Sequence, residues 1–328
     1  MAVIGAGSWG TALAIQCARA GHPTRLWGRD RAAQRAMQQA RRNARYLPEA
    51  EFPANLAAVE DLEEALEGAQ EALVAVPSSA FRATLVELEK RLSADARIAW
   101  ASKGFEMATG LLPHQVAREV CGSRPAAVLS GPTFAREVGA GLPTALTVAS
   151  LDAHFAKELA SRLSGPRFRV YTQSDIVGVE VGGAVKNVIA IGSGIADGMG
   201  FGANTRVALI TRGLAEMMRL GLKLGAERHT FMGLATLGDL VLSCTDDQSR
   251  NRRLGLALGR GSPLADAQRS IGQVVEGVAA ARAVLAVAER LGVEMPICRE
   301  VYRIMYEARP VRAALQELMG RELRPETE

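Results

Sequence analysis

Gly5-Ala6-Gly7-Ser8-Trp9-Gly10 follows the apolar run Ala2-Val3-Ile4 and opens a helical pattern over Thr11–Ala20. A chain with this start is committed to a strand, a tight glycine turn and a helix, the first part of a βαβ unit. Glycines at such a turn let the backbone come close to a diphosphate, and the helix N-terminus adds unpaired N–H groups. Gly5, Gly7, Ser8, Trp9 and Gly10 are therefore expected to hold a dinucleotide, with a plain strand-to-helix turn as the alternative. Only four residues precede the motif, which leaves room for a natural start a few residues upstream.

The alternation continues through the first half. Strands are expected at Ala2–Ile4, Thr24–Trp27, Ala72–Val76, Arg97–Trp100, Ala127–Leu129, Ala145–Ala149 and Phe168–Tyr171. Helical periodicity lies between many of them, as in Thr11–Ala20, Ala80–Leu92 and Ala153–Leu163. Strand-helix alternation predicts a parallel sheet whose ligands bind beyond the carboxyl ends of the strands. After Ser174 the pattern becomes helical: Asp175–Asp197 reads as one long, Gly-interrupted apolar helix, followed by Thr205–Leu224, Val274–Leu291 and Pro296–Tyr306. The expectation is an α/β fold: a Rossmann-type doubly wound parallel sheet over residues 1–173, then an all-helical domain over 174–328 with a polar tail after Gly320. The active site is expected in the cleft between them.

Composition narrows the function classes. An apolar fraction of 48% and a charged fraction of 23% give enough material for a sizeable core. A net charge of +4 suits acidic small substrates and is too weak to argue for nucleic acid. Cys17, Cys121, Cys244 and Cys298 are far apart, which argues against a zinc site or a disulfide framework and fits a reducing cytoplasm. No signal core and no run of about 20 apolar residues stands out. None of His22, His114, His154 and His229 sits in a triad or at metal-ligand spacing, and the last three fall on charged segments read as exposed. His-based dehydrogenases, Ser hydrolases and metalloenzymes all lose support.

The second strand ends at Gly28-Arg29-Asp30. A small residue there leaves room for a ribose 2′-phosphate and Arg29 can pair with it, which favours NADP(H). Asp30 keeps NAD(H) open, or caps the next helix.

Only five of the 39 basic residues are Lys, so a Lys in an apolar, Gly-rich setting stands out. Lys103 lies just past a strand end, where a solvated loop Lys is the alternative. Lys186, followed by Asn187, interrupts the apolar stretch Gly182–Gly192. Gly183, Lys186, Asn187, Ala190, Gly194 and Asp197 fall near one helical face. Desolvation there lowers a lysine pKa toward the range of a general acid or base; the alternative is a structural pair with Glu180 or Asp197. Asp239 is placed to orient a catalytic lysine or to cap a helix. Ser249-Arg250-Asn251-Arg252-Arg253 concentrates anion donors. Gly131 and Thr133 form a second strand-to-helix turn with free N–H groups, with an ordinary N-cap by Thr133 as the alternative, and Glu276 in Gly272–Gly277 offers one carboxylate to a cofactor ribose or amide, or simply marks a helix start.

These blocks together resemble the bacterial NAD(P)-dependent glycerol-3-phosphate dehydrogenase family over nearly the whole chain. The matching stretches are GAGSWGTALA at 5–14, LWGRD at 26–30, SKG at 102–104, SGPTFA at 130–135, GGAVKNVIAIGSGIADG at 182–198, TLGDLVLSCTDDQSRNRR at 236–253 and IGQVVEG at 271–277. Ser243 departs from the family, where Thr is frequent, and keeps the hydroxyl. The resemblance implies interconversion of sn-glycerol-3-phosphate and dihydroxyacetone phosphate, supply of glycerol phosphate for phospholipids, a cytoplasmic location and a homodimer. It implies Lys186 as proton acceptor, assisted by Lys103 and Asp239. Substrate contacts fall on Lys103, Gly131, Thr133, Lys186, Asn187, Asp239, Ser249, Arg250 and Asn251. Cofactor contacts fall on Ser8, Trp9, Arg29, Lys103, Ala135, Arg250, Val274 and Glu276, beside Gly5, Gly7 and Gly10.

Two other readings compete. One is a related dehydrogenase for a β-hydroxy acid or ketopantoate-like substrate, which the Arg250-Asn251 anion site disfavours. The other is a cofactor sensor without turnover, which has no need of Lys186 and Asp239.

Overall fold

The structure is a computed structural model that describes residues 1–322. Apart from Arg321 and Glu322, the polar tail expected after Gly320 lies outside the described residues.

Ten strands form in the first half: β1 (Ala2–Ile4), β2 (Thr24–Trp27), β3 (Arg42–Asn43), β4 (Leu47–Glu51), β5 (Leu56–Val59), β6 (Glu71–Val74), β7 (Arg97–Trp100), β8 (Ala126–Ser130), β9 (Thr144–Ala149) and β10 (Phe168–Gln173). Eight make one sheet in the order β10-β9-β8-β7-β6-β1-β2-β5, while β3 and β4 form a separate hairpin. Ala2 pairs in parallel register with Arg25 on one side and Ala72 on the other. The chain winds outward from β1 in both directions, so the topological switch point falls between β1 and β6. Val3 packs with Leu13, Leu26 and Leu73 on one face. Ala2 and Ile4 pack with Phe81, Leu85 and Trp100 on the other. Burial on both faces is why the central strands read as unbroken apolar runs.

The sheet departs from a wholly parallel one at β8 and β9, which pair antiparallel, Val128 opposite Ala149. β9 and β10 are again parallel to each other. The helix linking β8 to β9 is only Ala135–Ala140. Six helical residues rise about 9 Å, too little to carry the chain back along a strand of about 17 Å. The next strand therefore starts from the same end.

In the second half Ile176–Gly198 is one continuous helix, not interrupted by its glycines. The Asp175 carboxylate caps it by accepting the Gly178 N–H at 2.8 Å. It is long and apolar enough to cross a membrane by length and composition, yet 89% of its apolar window is buried inside the fold. The helices Ala203–Lys223, Arg250–Gly259, Glu276–Arg290 and Pro296–Tyr306 surround it. Glycine sets the closest of these contacts. A Cβ on Gly194 would lie 2.2 Å from the Arg252 carbonyl oxygen, and one on Gly255 would lie 2.1 Å from the Ile191 carbonyl oxygen. Arg250–Gly259 thus lies backbone against backbone on the central helix.

Candidate active site

Consecutive glycines on the central helix admit two different segments. A Cβ on Gly182 would lie 2.6 Å from Thr236 Cγ2, in the π-helical segment Leu234–Gly238 that leads into Asp239. A Cβ on Gly183 would lie 3.3 Å from Lys103 Cγ and Cδ. One glycine brings in the carboxylate and the other seats the lysine stem. One turn further along, Lys186 meets both. Lys186 Nζ donates to Asp239 Oδ1 at 2.6 Å and to Ser243 Oγ at 2.9 Å. Lys103 Nζ donates to Asp239 Oδ2 at 2.6 Å.

Two ammonium groups therefore share one carboxylate that is 1% exposed. Burial pushes Lys186 down to about 8, the Lys103 charge adds to that effect, and Asp239 and Glu276 oppose it. Burial works against the Asp239 carboxylate, but the charges and hydrogen bonds of Lys103 and Lys186 outweigh it and hold its pKa below the usual value. A buried lysine poised near neutrality beside a second cation is suited to move a proton to or from a substrate oxygen.

A polar layer adjoins this centre. Asn251 Nδ2 donates to Asn187 Oδ1 at 2.8 Å, and Asn251 Oδ1 accepts the Gly277 N–H at 2.9 Å. Asn187 Nδ2 reaches Glu276 Oε2 at 3.5 Å. Arg250 Nη1 donates to the Val274 carbonyl at 2.8 Å, which docks the Gln273–Gly277 segment onto the helix. The Ser249 hydroxyl caps that helix by accepting the Arg252 N–H at 3.3 Å. On the sheet side, Thr133 Oγ1 donates to the Gly131 carbonyl at 3.2 Å instead of capping a helix. Pro132 Cγ comes within 3.6 Å of the position a Gly238 Cβ would take, which sets this loop beside Asp239.

The glycine turn fits a dinucleotide. Gly5 has φ +115°, and a Cβ on Gly10 would lie 1.8 Å from the Gly5 carbonyl oxygen. A Cβ on Gly7 would meet nothing within 4 Å, so open space lies in front of the helix Ser8–Arg19. No side chain caps that N-terminus and no acid lies in its first turn. Its N–H groups are thus free for a diphosphate. A Cβ on Gly5 would touch the Ala75 carbonyl, and Ser102 Oγ donates to the Val76 carbonyl at 2.6 Å. The glycine turn, the end of β6 and Lys103 therefore occupy neighbouring strand ends. Ala135 opens its short helix without a side-chain cap. Arg29 is exposed and, among the described residues, has no hydrogen bond or ion pair. Asp30 accepts the Ala33 N–H at 3.0 Å, so it caps the next helix. Gly28 is small for a packing reason, since a Cβ there would lie 2.9 Å from Ala6 Cβ.

Three expectations change. The face from Gly183 to Asp197 divides: Gly183 and Lys186 meet Lys103 and Asp239, while Gly194 meets the Arg250–Gly259 helix. Asp197 binds Arg206 at 2.9 Å and also Arg252, and Glu180 binds Trp100, so neither is the Lys186 partner. His114 is not on an exposed face; its ring is partly buried against Glu180. Sequence reasoning also missed Asn43, whose Nδ2 donates to the Ala6 carbonyl at 3.0 Å and to Thr11 Oγ1 at 2.8 Å, tying the β3–β4 hairpin to the glycine turn. Its only sequence signal is an Asn in a polar turn.

Fold and site define a dinucleotide-dependent oxidoreductase, with a paired-lysine centre where the sheet meets the helical half. Models of the NAD-dependent glycerol-3-phosphate dehydrogenase N-terminus and C-terminus match residues 1–156 and 175–316. The chain is 56% identical over 325 residues to the glycerol-3-phosphate dehydrogenase [NAD(P)+] of Nitrosococcus oceani, covering 99% of this chain and 94% of that protein. It is 56% identical to the Yersinia pestis enzyme of the same name over 323 residues, covering 98% and 95%. The crystal structure of glycerol-3-phosphate dehydrogenase from Coxiella burnetii superposes with a TM-score of 0.94 at 48% identity, covering 97% of this chain and 98% of that one. The chain belongs to the NAD-dependent glycerol-3-phosphate dehydrogenase family.

Proposed function

We propose that this protein interconverts sn-glycerol-3-phosphate and dihydroxyacetone phosphate, with NADP(H) preferred and NAD(H) accepted. The observation that carries the site assignment is the sharing of the buried Asp239 carboxylate by Lys103 and Lys186 at 2.6 Å each. When bound, the nicotinamide supplies or takes the hydride. Lys186, as ammonium, gives a proton to the C2 oxygen in reduction and takes it back as amine in oxidation. Lys103 donates a second hydrogen bond to that oxygen, and Asp239 orients both lysines. Arg250, Asn251 and Ser249 hold the phosphate end, with Gly131, Thr133 and Asn187 lining the site. Gly5, Gly7, Ser8, Trp9, Gly10, Ala135, Val274 and Glu276 hold the dinucleotide, and Arg29 reads its 2′-phosphate. We set the domain boundary at 173/174, between β10 and the Asp175 cap.

The family resemblance alone supports a homodimer and the supply of glycerol phosphate to phospholipids; a cytoplasmic location rests on the resemblance and on the four free cysteines. Sedimentation at micromolar protein tests the dimer. The test of the activity is loss of NADPH absorbance on adding dihydroxyacetone phosphate, in the native chain and in Lys186→Ala. General acid–base catalysis contributes about 10²–10⁴-fold, so kcat falls by that range in the variant while NADPH still binds. Turnover of a ketopantoate-like acid in place of dihydroxyacetone phosphate would overturn the substrate assignment. Near-native kcat in Lys186→Ala would move the proton-transfer role to Lys103.

A further inference from the structure

Glu180 is 4% exposed and lies outside the paired-lysine centre, and three nitrogens contact its carboxylate. Trp100 Nε1 and the His114 backbone N–H both donate to Oε1 at 2.9 Å, and His114 Nδ1 lies 2.5 Å from Oε2. Trp100 ends β7 and is fully buried, with its ring edge-on to Phe81 at 5.7 Å between centroids. His114 sits at the start of the helix Pro113–Cys121. Both are in the sheet half, whereas Glu180 is on the central helix of the other half.

The spacing links this cluster to the centre. Lys103 follows Trp100 by three residues, about 10 Å of extended chain. Lys186 follows Glu180 by six residues, about 9 Å of helix. Between them, Gly183 faces the Lys103 stem, whose Cγ and Cδ would lie 3.3 Å from a Cβ at that position. The segment from Trp100 to Lys103 and the helix from Glu180 to Lys186 thus span about the same length, joined at one end by Trp100–Glu180 and at the other through Asp239.

We infer that Glu180 is a positioning residue: gripped by Trp100 and His114, it sets the register of the β7 end against the central helix so that Lys103 and Lys186 reach one carboxylate. This rests on the assignment of Lys103, Lys186 and Asp239 to the chemistry. If the grip is released, Lys103 shifts away from Asp239. A misplacement on the ångström scale costs about ten- to a hundredfold in rate. The Lys103 charge is one of the forces that lower the Lys186 pKa, so its withdrawal raises that pKa.

The experiment compares Glu180→Ala, Glu180→Gln and His114→Ala with the native protein and with Lys186→Ala. In Glu180→Ala, kcat falls about ten- to a hundredfold with the KM for NADPH within about twofold. The pH at which reduction declines moves upward by about half a unit to one unit. Glu180→Gln keeps the Oε1 acceptor, and its amide can donate to an unprotonated His114 Nδ1, so it restores most of kcat and the native pH limb. His114→Ala removes one contact from a partly exposed ring and gives the same upward shift with a smaller loss; it carries the test if Glu180→Ala does not fold. An unchanged kcat and pH limb beside a lowered melting temperature, in either alanine variant, would make Glu180 purely structural and overturn the inference. Near-native turnover in Lys186→Ala would instead overturn the site assignment beneath it.

Discussion

Asp239→Asn removes the counter-charge of two ammonium groups and changes little in shape. At 2.6 Å, each ion pair carries several kcal/mol of attraction even at an effective dielectric of about 20. The asparagine carbonyl can accept from one lysine, but its NH₂ then faces the other, donor against donor. A net loss of about 2.7 kcal/mol for Lys186 corresponds to about two pKa units at 1.36 kcal/mol per unit. With Lys186 at about 8 in the native chain, it falls to about 6 in the variant. The sign follows from which form each direction needs. Reduction uses the ammonium and declines as pH rises through the Lys186 pKa; oxidation uses the amine and rises through the same window. Both limbs therefore move about two units toward acid. At pH 7 the reductive rate, near its plateau in the native protein, stands about tenfold below the variant's own plateau. The assay is kcat against pH in both directions, followed by NADPH absorbance. Limbs that stay near 8 while kcat falls would refute the claim that Asp239 sets the protonation of Lys186.

Three more outcomes follow from the same geometry. Arg29→Ala weakens NADPH by roughly ten- to a hundredfold, about the worth of a charge-assisted contact, and NADH much less; fluorescence titration with both cofactors decides, and equal losses remove Arg29 from 2′-phosphate recognition. Arg250→Lys loses the paired guanidinium donors and the hold on the Val274 carbonyl, so the KM for dihydroxyacetone phosphate rises with little change in melting temperature. Gly277→Ala sets a methyl 2.5 Å from Asn251 Oδ1 and 2.7 Å from Ile191 Cδ1, so it destabilises the fold by about 1–3 kcal/mol and raises the substrate KM, read by urea unfolding and initial rates.

How much of this was legible depended on whether the signal was local. The inner strands were legible because burial on both faces leaves an unbroken apolar run. The edge strand β5, Leu56-Ala57-Ala58-Val59, is also an apolar run, but half of it is alanine, a residue depleted in strands, and it did not read as one. The β3–β4 hairpin carries Arg42, Asn43, Pro48, Glu49 and Glu51, which read as loop. The reversal at β9 was hidden because periodicity reports a strand and not its direction. Its clue was the shortness of the helix before it. Lys186 stood out because the chain otherwise favours Arg, and Asp239 because it sits in an apolar segment. Glu180 sits in an apolar segment too, but its partners are 80 and 66 residues away, and no local pattern reports a contact at that range. Gly182 and Gly183 read as part of a Gly-interrupted apolar helix; which neighbour each one admits is a tertiary fact.

The scarcity of Lys bears on a last question, why two of the five share one carboxylate. Proton transfer explains Lys186, since Arg does not release its proton at any accessible pH. Lys103 has no such need. With both lysines charged, the centre carries one positive charge in excess; when Lys186 gives up its proton, the centre is neutral. Burial favours the neutral state, and the Lys103 ammonium favours it further, so Lys103 helps to hold Lys186 near the working pH. Lys103→Met removes that repulsion, keeps most of the stem against Gly183, and leaves Lys186 and Asp239 as a one-to-one pair. The Lys186 pKa then rises by roughly one unit, so reduction persists to higher pH and oxidation begins later. Lys103→Arg keeps the charge and therefore keeps the limb near its native position, even where the larger head group lowers kcat. A limb that shifts equally in both variants would mean that Lys103 acts through its shape, and one that shifts in neither would mean that burial alone sets the Lys186 pKa.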